Sequence, residues 1–323
     1  MKDTFFLATQ HGIDNLTEAF DLIHPIRSSL WNMKAEIAGL KMLDPSISEA
    51  KLKSRFSIVP EIGGVNYTRA FSDWDWEKIQ TELAWILLNT IFVVYEGWLQ
   101  ELHDTVFSTT SGNLNIEYMQ FPCDPSSTER YGRSPKNIVD EIARLKTSRS
   151  LMLEGTFYNL YRTRPRRTTA TSLNNLMYCY RYFKELRNCY THNGKQTSQR
   201  LVDAYSKYLP YADSSALNVK EIPEIKAPTI NTPAALTLRG VIGFSYIVIQ
   251  IMLTSDAELL CSQYAEEEFL YRLKELHRPT RNVSSRENGI GIARTYVQSA
   301  GYLKPEPSPL LFDYLLKHKF LSL

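Results

Sequence analysis

Helical periodicity dominates this chain: apolar residues recur at three- and four-residue intervals, the spacing that places them on one face of a helix. The pattern predicts a first long helix, or a helix pair, over Asp14 to Leu43, with Pro25 as the break because proline has no amide to donate. From about Asp44 to Trp74 the pattern is irregular, punctuated by Pro60 and Gly63-Gly64. Asp75 to Phe107 follows, rich in Leu, Ile and Trp and free of proline. Ser108 to Pro135 is turn-rich, and Asn137 to Leu160 returns to helical patterning until Arg162-Thr-Arg-Pro-Arg-Arg167 interrupts it. A well-patterned helix is expected over Ser172 to His192, stopped by Asn193-Gly194 as a C-terminal cap. A short helix (Ser198 to Tyr208), a loop (Pro210 to Pro233) and an apolar helix (Ala234 to Cys261) come next. Ala265 to Leu323 alternates basic turns with short amphipathic pieces. The expected fold class is all-α. It divides into an N-terminal helical segment with an irregular linker (1–70), a main helical domain with an insertion near 108–135 (71–262), and a small C-terminal helical segment (263–323).

Composition narrows the class without naming a function. At 43% hydrophobic and 22% charged residues, the chain has the balance of a folded protein rather than a disordered one. A formal charge of +2 does not announce a nucleic-acid binder, so local clusters of charge decide that question. Cys123, Cys179, Cys189 and Cys261 have neither metal-ligand spacing nor a disulfide framework, and reduced thiols in a cytoplasmic protein are expected. The N-terminus has no apolar core of a secretory signal. The most apolar run, Val241 to Leu253, is shorter than the roughly 20 residues a bilayer demands, so no membrane is expected as a partner.

The candidate chemistry lies on the helix that ends at Gly194. Leu176, Cys179, Phe183, Leu186 and Tyr190 form its buried stripe, and at about 100° per residue Asn188 and His192 fall together on nearly the opposite side. Arg181 and Glu185 share that polar side, while Arg187 sits between it and the stripe. An imidazole titrating near neutrality can take or give a proton. A guanidinium can hold a phosphate and the charge that builds on it. Arg187 and His192, five positions apart, point about 140° from each other on a regular helix. They meet one phosphate only if the last turn unwinds or if a second copy of the helix faces the first.

The segment Glu185-Leu-Arg-Asn-Cys-Tyr-Thr-His-Asn-Gly194 resembles the signature of the HEPN superfamily: an arginine, a polar residue, a short spacer and a histidine. Phe92-Val-Val-Tyr-Glu-Gly-Trp-Leu99 resembles the long preceding helix of that family, with Glu96 at its acidic position. The likeness covers roughly Trp74 to Cys261 and implies a HEPN-like helical bundle that dimerises and cleaves RNA without metal or other cofactor. It further implies that the 2′-hydroxyl attacks the adjacent phosphate, leaving 2′,3′-cyclic phosphate and 5′-hydroxyl ends. By carry-over His192 is the acid or base, Arg187 binds the scissile phosphate, Asn188 orients it and Glu96 holds Arg187. Many such proteins serve prokaryotic antiviral defence or toxin–antitoxin systems. A toxin-like nuclease must be restrained, so an inhibitory or activating protein partner is expected with that reading; the same resemblance also fits a non-catalytic RNA-binding or protein-assembly module.

Plainer readings stand beside each of these residues. His192 suits the negative end of a helix dipole without any catalysis, Arg187 is equally a salt-bridge partner, and Glu96 is equally a solvated position. Arg162, Arg164, Arg166 and Arg167 form the densest basic cluster, preceded by Tyr158 and Tyr161; with Lys195 they are the expected RNA contacts, or else a solvated loop. His277, Arg278, Arg281 and Arg286 make a second basic patch, assigned only to an RNA or partner surface. No paired-histidine metal motif, nucleophile elbow or Walker loop occurs. His24, His103 and His318 are isolated, and Glu101, His103 and Asp104 have no second ligand cluster.

Overall fold

In a computed structural model, which describes residues 3–56, 66–108, 112–120, 137–276 and 278–323, the periodic segments are helices. The longest are α1 (Leu7–Leu43), α3 (Trp76–Thr105), α6 (Leu173–His192) and α8 (Leu238–Leu259). Between them lie α2 (Glu49–Phe56), α4 (Ile116–Gln120), α5 (Ile138–Leu145) and α7 (Gln199–Tyr208). After α8 come α9 (Gln263–Glu275), α10 (Arg286–Ser299) and α11 (Pro309–Lys317). The strands among the described residues are β1 (Arg281–Asn282) and β2 (Leu321–Ser322), a parallel pair of two residues each. The protein is all-α.

Helix α8 is the centre of the bundle, packed against α1, α3 and α6. Its sequence is apolar on almost every side, which suits a helix surrounded by others. The helix expected over Ala234 to Cys261 spans the 22 residues Leu238–Leu259, and by length and composition alone both it and α3 are long and apolar enough to cross a membrane. Within the fold, 83% of the most apolar window of α8 is buried, as in a core helix, and 50% of that of α3. Helix α3 starts where the Asp75 carboxylate accepts the Lys78 amide at 2.7 Å, and it buries Leu87, Ile91, Tyr95 and Trp98 along one stripe.

Pro25 does not break α1, contrary to expectation. Both Pro25 and Asp21, whose carbonyl loses its donor, are exposed, so the lost hydrogen bond lies on the solvent side of the helix rather than in the core. The irregular stretch 44–74 also contains more structure than its pattern predicts. It holds α2 and a π-helical turn, Arg69–Asp73, and Phe71 of that turn packs with Tyr67, Ile37, Leu52 and Ile79 in a small second core. Of the expected insertion near 108–135, residues 112–120 are described and include α4. The flanking segments expected as appendages share the main core: Phe5 and Phe6 near the N-terminus and Phe269, Tyr302 and Phe312 near the C-terminus belong to the same buried cluster as α3, α6 and α8.

That sharing rests on a buried polar clamp. The Asp256 carboxylate, on α8, accepts the amides of Phe5 at 2.8 Å and Phe6 at 3.0 Å. Arg272 of α9 donates to the Phe5 carbonyl at 2.8 Å and lies 4.0 Å from the Tyr302 ring centroid. Burial pushes Asp256 up to about 6 and Glu268 up to about 7. Cys179, Cys189 and Cys261 are buried free thiols, and burial raises Cys179 and Cys261 to about 12, which leaves them inert; Cys123 lies outside the described residues.

Candidate active site

Helix α6 takes the extent its pattern predicts. Leu176, Cys179, Phe183 and Leu186 are buried, with Phe183 stacked on Phe244 of α8 at 4.4 Å and Tyr180 set edge-on to Phe92 of α3 at 5.2 Å. Tyr190 is half-buried and stacks on Trp85 at 5.2 Å. At its end the amides of Asn193 and Lys195 both donate to the Cys189 carbonyl. Gly194 and Lys195 adopt φ of +57° and +66°, which turns the chain away in the left-handed region.

The polar side of α6 is partly covered by its own chain. Glu185 is only 3% exposed within its own chain. Its carboxylate takes Arg181 at 2.7 Å and the Asn188 side-chain amide at 3.2 Å, so an ionic anchor one turn earlier holds the half-buried Asn188. Arg187 is also held. Its Nη1 lies 3.6 Å from the Glu96 carboxylate, and its guanidinium carbon lies 5.3 Å from the Phe92 ring centroid. That separation makes an ion pair and is too long for a charge-assisted hydrogen bond. Both side chains remain partly exposed, so an anion can still reach the guanidinium.

His192 stands exposed on the last turn, and among the described residues it has no hydrogen-bond or ion-pair partner. The helix stays regular through His192, so the unwinding that would bring it beside Arg187 does not occur. Five residues of rise separate the two by about 7.5 Å along the axis as well as by about 140° around it. One chain therefore pairs Glu96 with Arg187, ties Asn188 to Glu185 and leaves His192 apart.

The expected RNA contacts divide. Arg167 is 8% exposed and donates to the carbonyls of Pro165 and Asp3, so it anchors the N-terminal segment instead of facing a ligand. Arg164 pairs with the Asp3 carboxylate at 2.6 Å. Arg162 lies 4.0 Å from Glu258 and over the Tyr158 ring, and is partly exposed, while Arg166 is exposed with φ of +64°. Lys195 pairs with Glu82 of α3 at 3.0 Å, which binds the cap of α6 to its neighbour. Of the second basic patch, Arg278 donates to Ser299, Arg286 pairs with Asp313, Arg281 is exposed in β1, and His277 lies outside the described residues.

Lys184 belongs to the same face and was not singled out in the sequence. It donates to the Gln120 side chain at 3.2 Å, and burial holds its ammonium below the usual lysine range while Glu96 opposes the shift. Arg181, Lys184 and Arg187 fall at i, i+3 and i+6, a spacing that aligns three cations along one helix face. That spacing was the available signal. His103 is tied to Asp104 and Asn113, His11 pairs with Glu101, and no cluster among the described residues could hold a metal ion.

Fold and site together define an all-helical protein with a cation-lined helix face beside a carboxylate of the preceding long helix. No family model, curated protein or solved structure matches the chain.

Proposed function

We propose that this chain is a metal-independent endoribonuclease of the HEPN type, working as a homodimer in the cytoplasm, in prokaryotic antiviral defence or a toxin-like role. The observation that carries the reading is the Glu96–Arg187 pair on two packed helices, with half-buried Asn188 and exposed His192 following on the second. In the proposed reaction the 2′-oxygen of RNA bonds to the adjacent phosphorus as the bond to the 5′-oxygen breaks. The 2′-hydroxyl proton passes to one imidazole, and the 5′-oxygen receives a proton from another. Because one helix offers a single exposed histidine, His192 of the partner subunit supplies the second imidazole. Arg187 neutralises charge on the phosphoryl oxygens, and Asn188, steadied by Glu185, donates to one of them.

The second reading is a non-cleaving RNA-binding or assembly module, favoured by the separation of Arg187 and His192 on one helix. One experiment divides the two. Wild-type protein and a His192→Ala variant are incubated with cellular RNA in the presence of a chelator. Cleavage by the wild type alone, leaving cyclic-phosphate ends, is expected. RNA bound yet left intact by both proteins supports the module, and cleavage abolished by the chelator refutes the metal-free mechanism.

A further inference from the structure

A cleft of about 760 Å³ opens between the first turns of α3 and α8, beside the last turn of α6. Its outer wall is the strap of residues 223–239 that leads into α8. The strap is laid directly on the helix: a Cβ on Gly240 would collide with the Glu224 carbonyl, and one on Gly243 would approach the Pro223 Cα to 2.8 Å. Glycine at both positions permits that contact, so the wall is fixed and the cleft is pre-formed. Its volume is in the range that encloses a small organic ligand.

The lining chemistry narrows the ligand class. Arg27 of α1, Lys78 of α3, and Lys226 and Arg239 of the strap all reach the cleft. Lys78 is already paired with Glu82 at 2.6 Å, and Arg239 with Glu221 at 3.4 Å. Arg27 and Lys226 have no carboxylate partner among the described residues, which leaves two cations for an anionic group. Carboxylates face the same space. Asp75 caps α3, Glu224 accepts from the Thr237 hydroxyl at 3.3 Å, and Glu77 is exposed without an ion pair among the described residues. A ligand that is anionic throughout would be repelled by them. A ligand with one anionic end and hydroxyl or amino donors at the other fits both sets, because carboxylates accept from ribose hydroxyls and from base amino groups. Leu236 and the edge of Tyr190 supply an apolar surface for a flat ring.

We propose that this cleft binds a free nucleotide. Arg27 and Lys226 take the phosphate, the carboxylates take donors of the sugar or base, and the ring packs on Leu236. The assignment is independent of the nuclease reading. The test is calorimetric titration of the full chain with AMP, ATP, adenosine, inorganic phosphate and a short single-stranded RNA. AMP and ATP are expected to bind, with adenosine and phosphate at least tenfold weaker. The Arg27→Glu, Lys226→Glu double variant is expected to lose at least tenfold in AMP affinity with a nearly unchanged melting curve, since both side chains are exposed and neither makes an ion pair among the described residues, Arg27 being held only by the Gln80 side-chain amide at 3.1 Å. His192→Ala is expected to bind AMP as the wild type does, which keeps a failed nuclease assay distinct from a failed cleft. No binding of AMP or ATP, or binding indifferent to the double variant, overturns the proposal. Binding of the RNA alone, lost in the double variant, also overturns it and assigns the cleft to an RNA strand.

Discussion

Replacing Asp256 with alanine tests how the chain holds its N-terminal segment, and the structure sets both the size and the pH dependence of the effect. The carboxylate is fully buried and accepts the buried amides of Phe5 and Phe6. Two donors left without an acceptor cost about 1–3 kcal/mol each, so the gross penalty is about 2–6 kcal/mol. The wild type, however, carries the burden of an ionised group out of water: its pKa rises from 3.8 to about 6, chiefly through burial, against the pull of the two amides, Thr9 and Arg167. A folded pKa above the unfolded one gives stability that is complete below 3.8 and is lost as pH rises through about 6. Between pH 4.5 and 7.5 that loss is about 2 kcal/mol for this group. Alanine cannot titrate and so escapes it. The penalty of Asp256→Ala is therefore larger at pH 4.5 than at pH 7.5, by about 2 kcal/mol. Urea unfolding followed by tryptophan fluorescence at the two pH values reads the difference directly; Glu268 is present in both proteins, and losing the Asp256 charge eases its upward shift, which adds to the difference in the same direction. A penalty equal at both pH values, or larger at 7.5, refutes the reasoning.

Other substitutions probe the proposed active site and its support. Glu96→Gln removes a partly exposed ion pair worth less than about 1 kcal/mol, so the melting temperature stays nearly constant while RNA cleavage falls several-fold; unchanged cleavage denies Glu96 a positioning role. Gly194→Ala places a Cβ at φ +57° with open space around it, so the cost is backbone strain alone, about 1 kcal/mol by thermal or urea unfolding, and Gly194→Asn is milder. Val93, 64% exposed on the face of α3 that also carries Glu96, is expected to lie in the dimer interface. Val93→Asp should then give monomers by sedimentation and lose cleavage without losing stability, and a monomeric wild type rejects the dimer outright.

The extent of α6 and its cap were legible in the sequence because local signals carry them: apolar spacing sets the buried stripe, and Asn193-Gly194 supplies the left-handed exit. The extent of α3 was legible for the same reason, with proline absent and Asp75 ready to cap. The break at Pro25 was misread, since a proline signal does not say whether the lost bond faces water. Wheel geometry likewise placed Glu185 and Asn188 on the polar side of α6. It was blind to the burial of Glu185, which depends on side chains and segments packed from elsewhere. Arg167 looked like a member of a surface cluster until the N-terminal segment, about 160 residues earlier in the chain, closed over it.

The Arg187–His192 pair shows the same division. Its residues and spacing are written in the sequence, as is the angle that separates them on a regular helix. Whether the helix stays regular through His192, and that Glu96 arrives beside Arg187 from α3, depend on how helices pack across long sequence separations. The clamp at Asp256 and the cleft behind α6 are wholly tertiary, each assembled from three or more distant segments, and no local pattern encodes such convergence. The sequence by itself determined the helices and the chemistry on their faces; tertiary packing decided which of those groups are buried, paired or left open to a ligand.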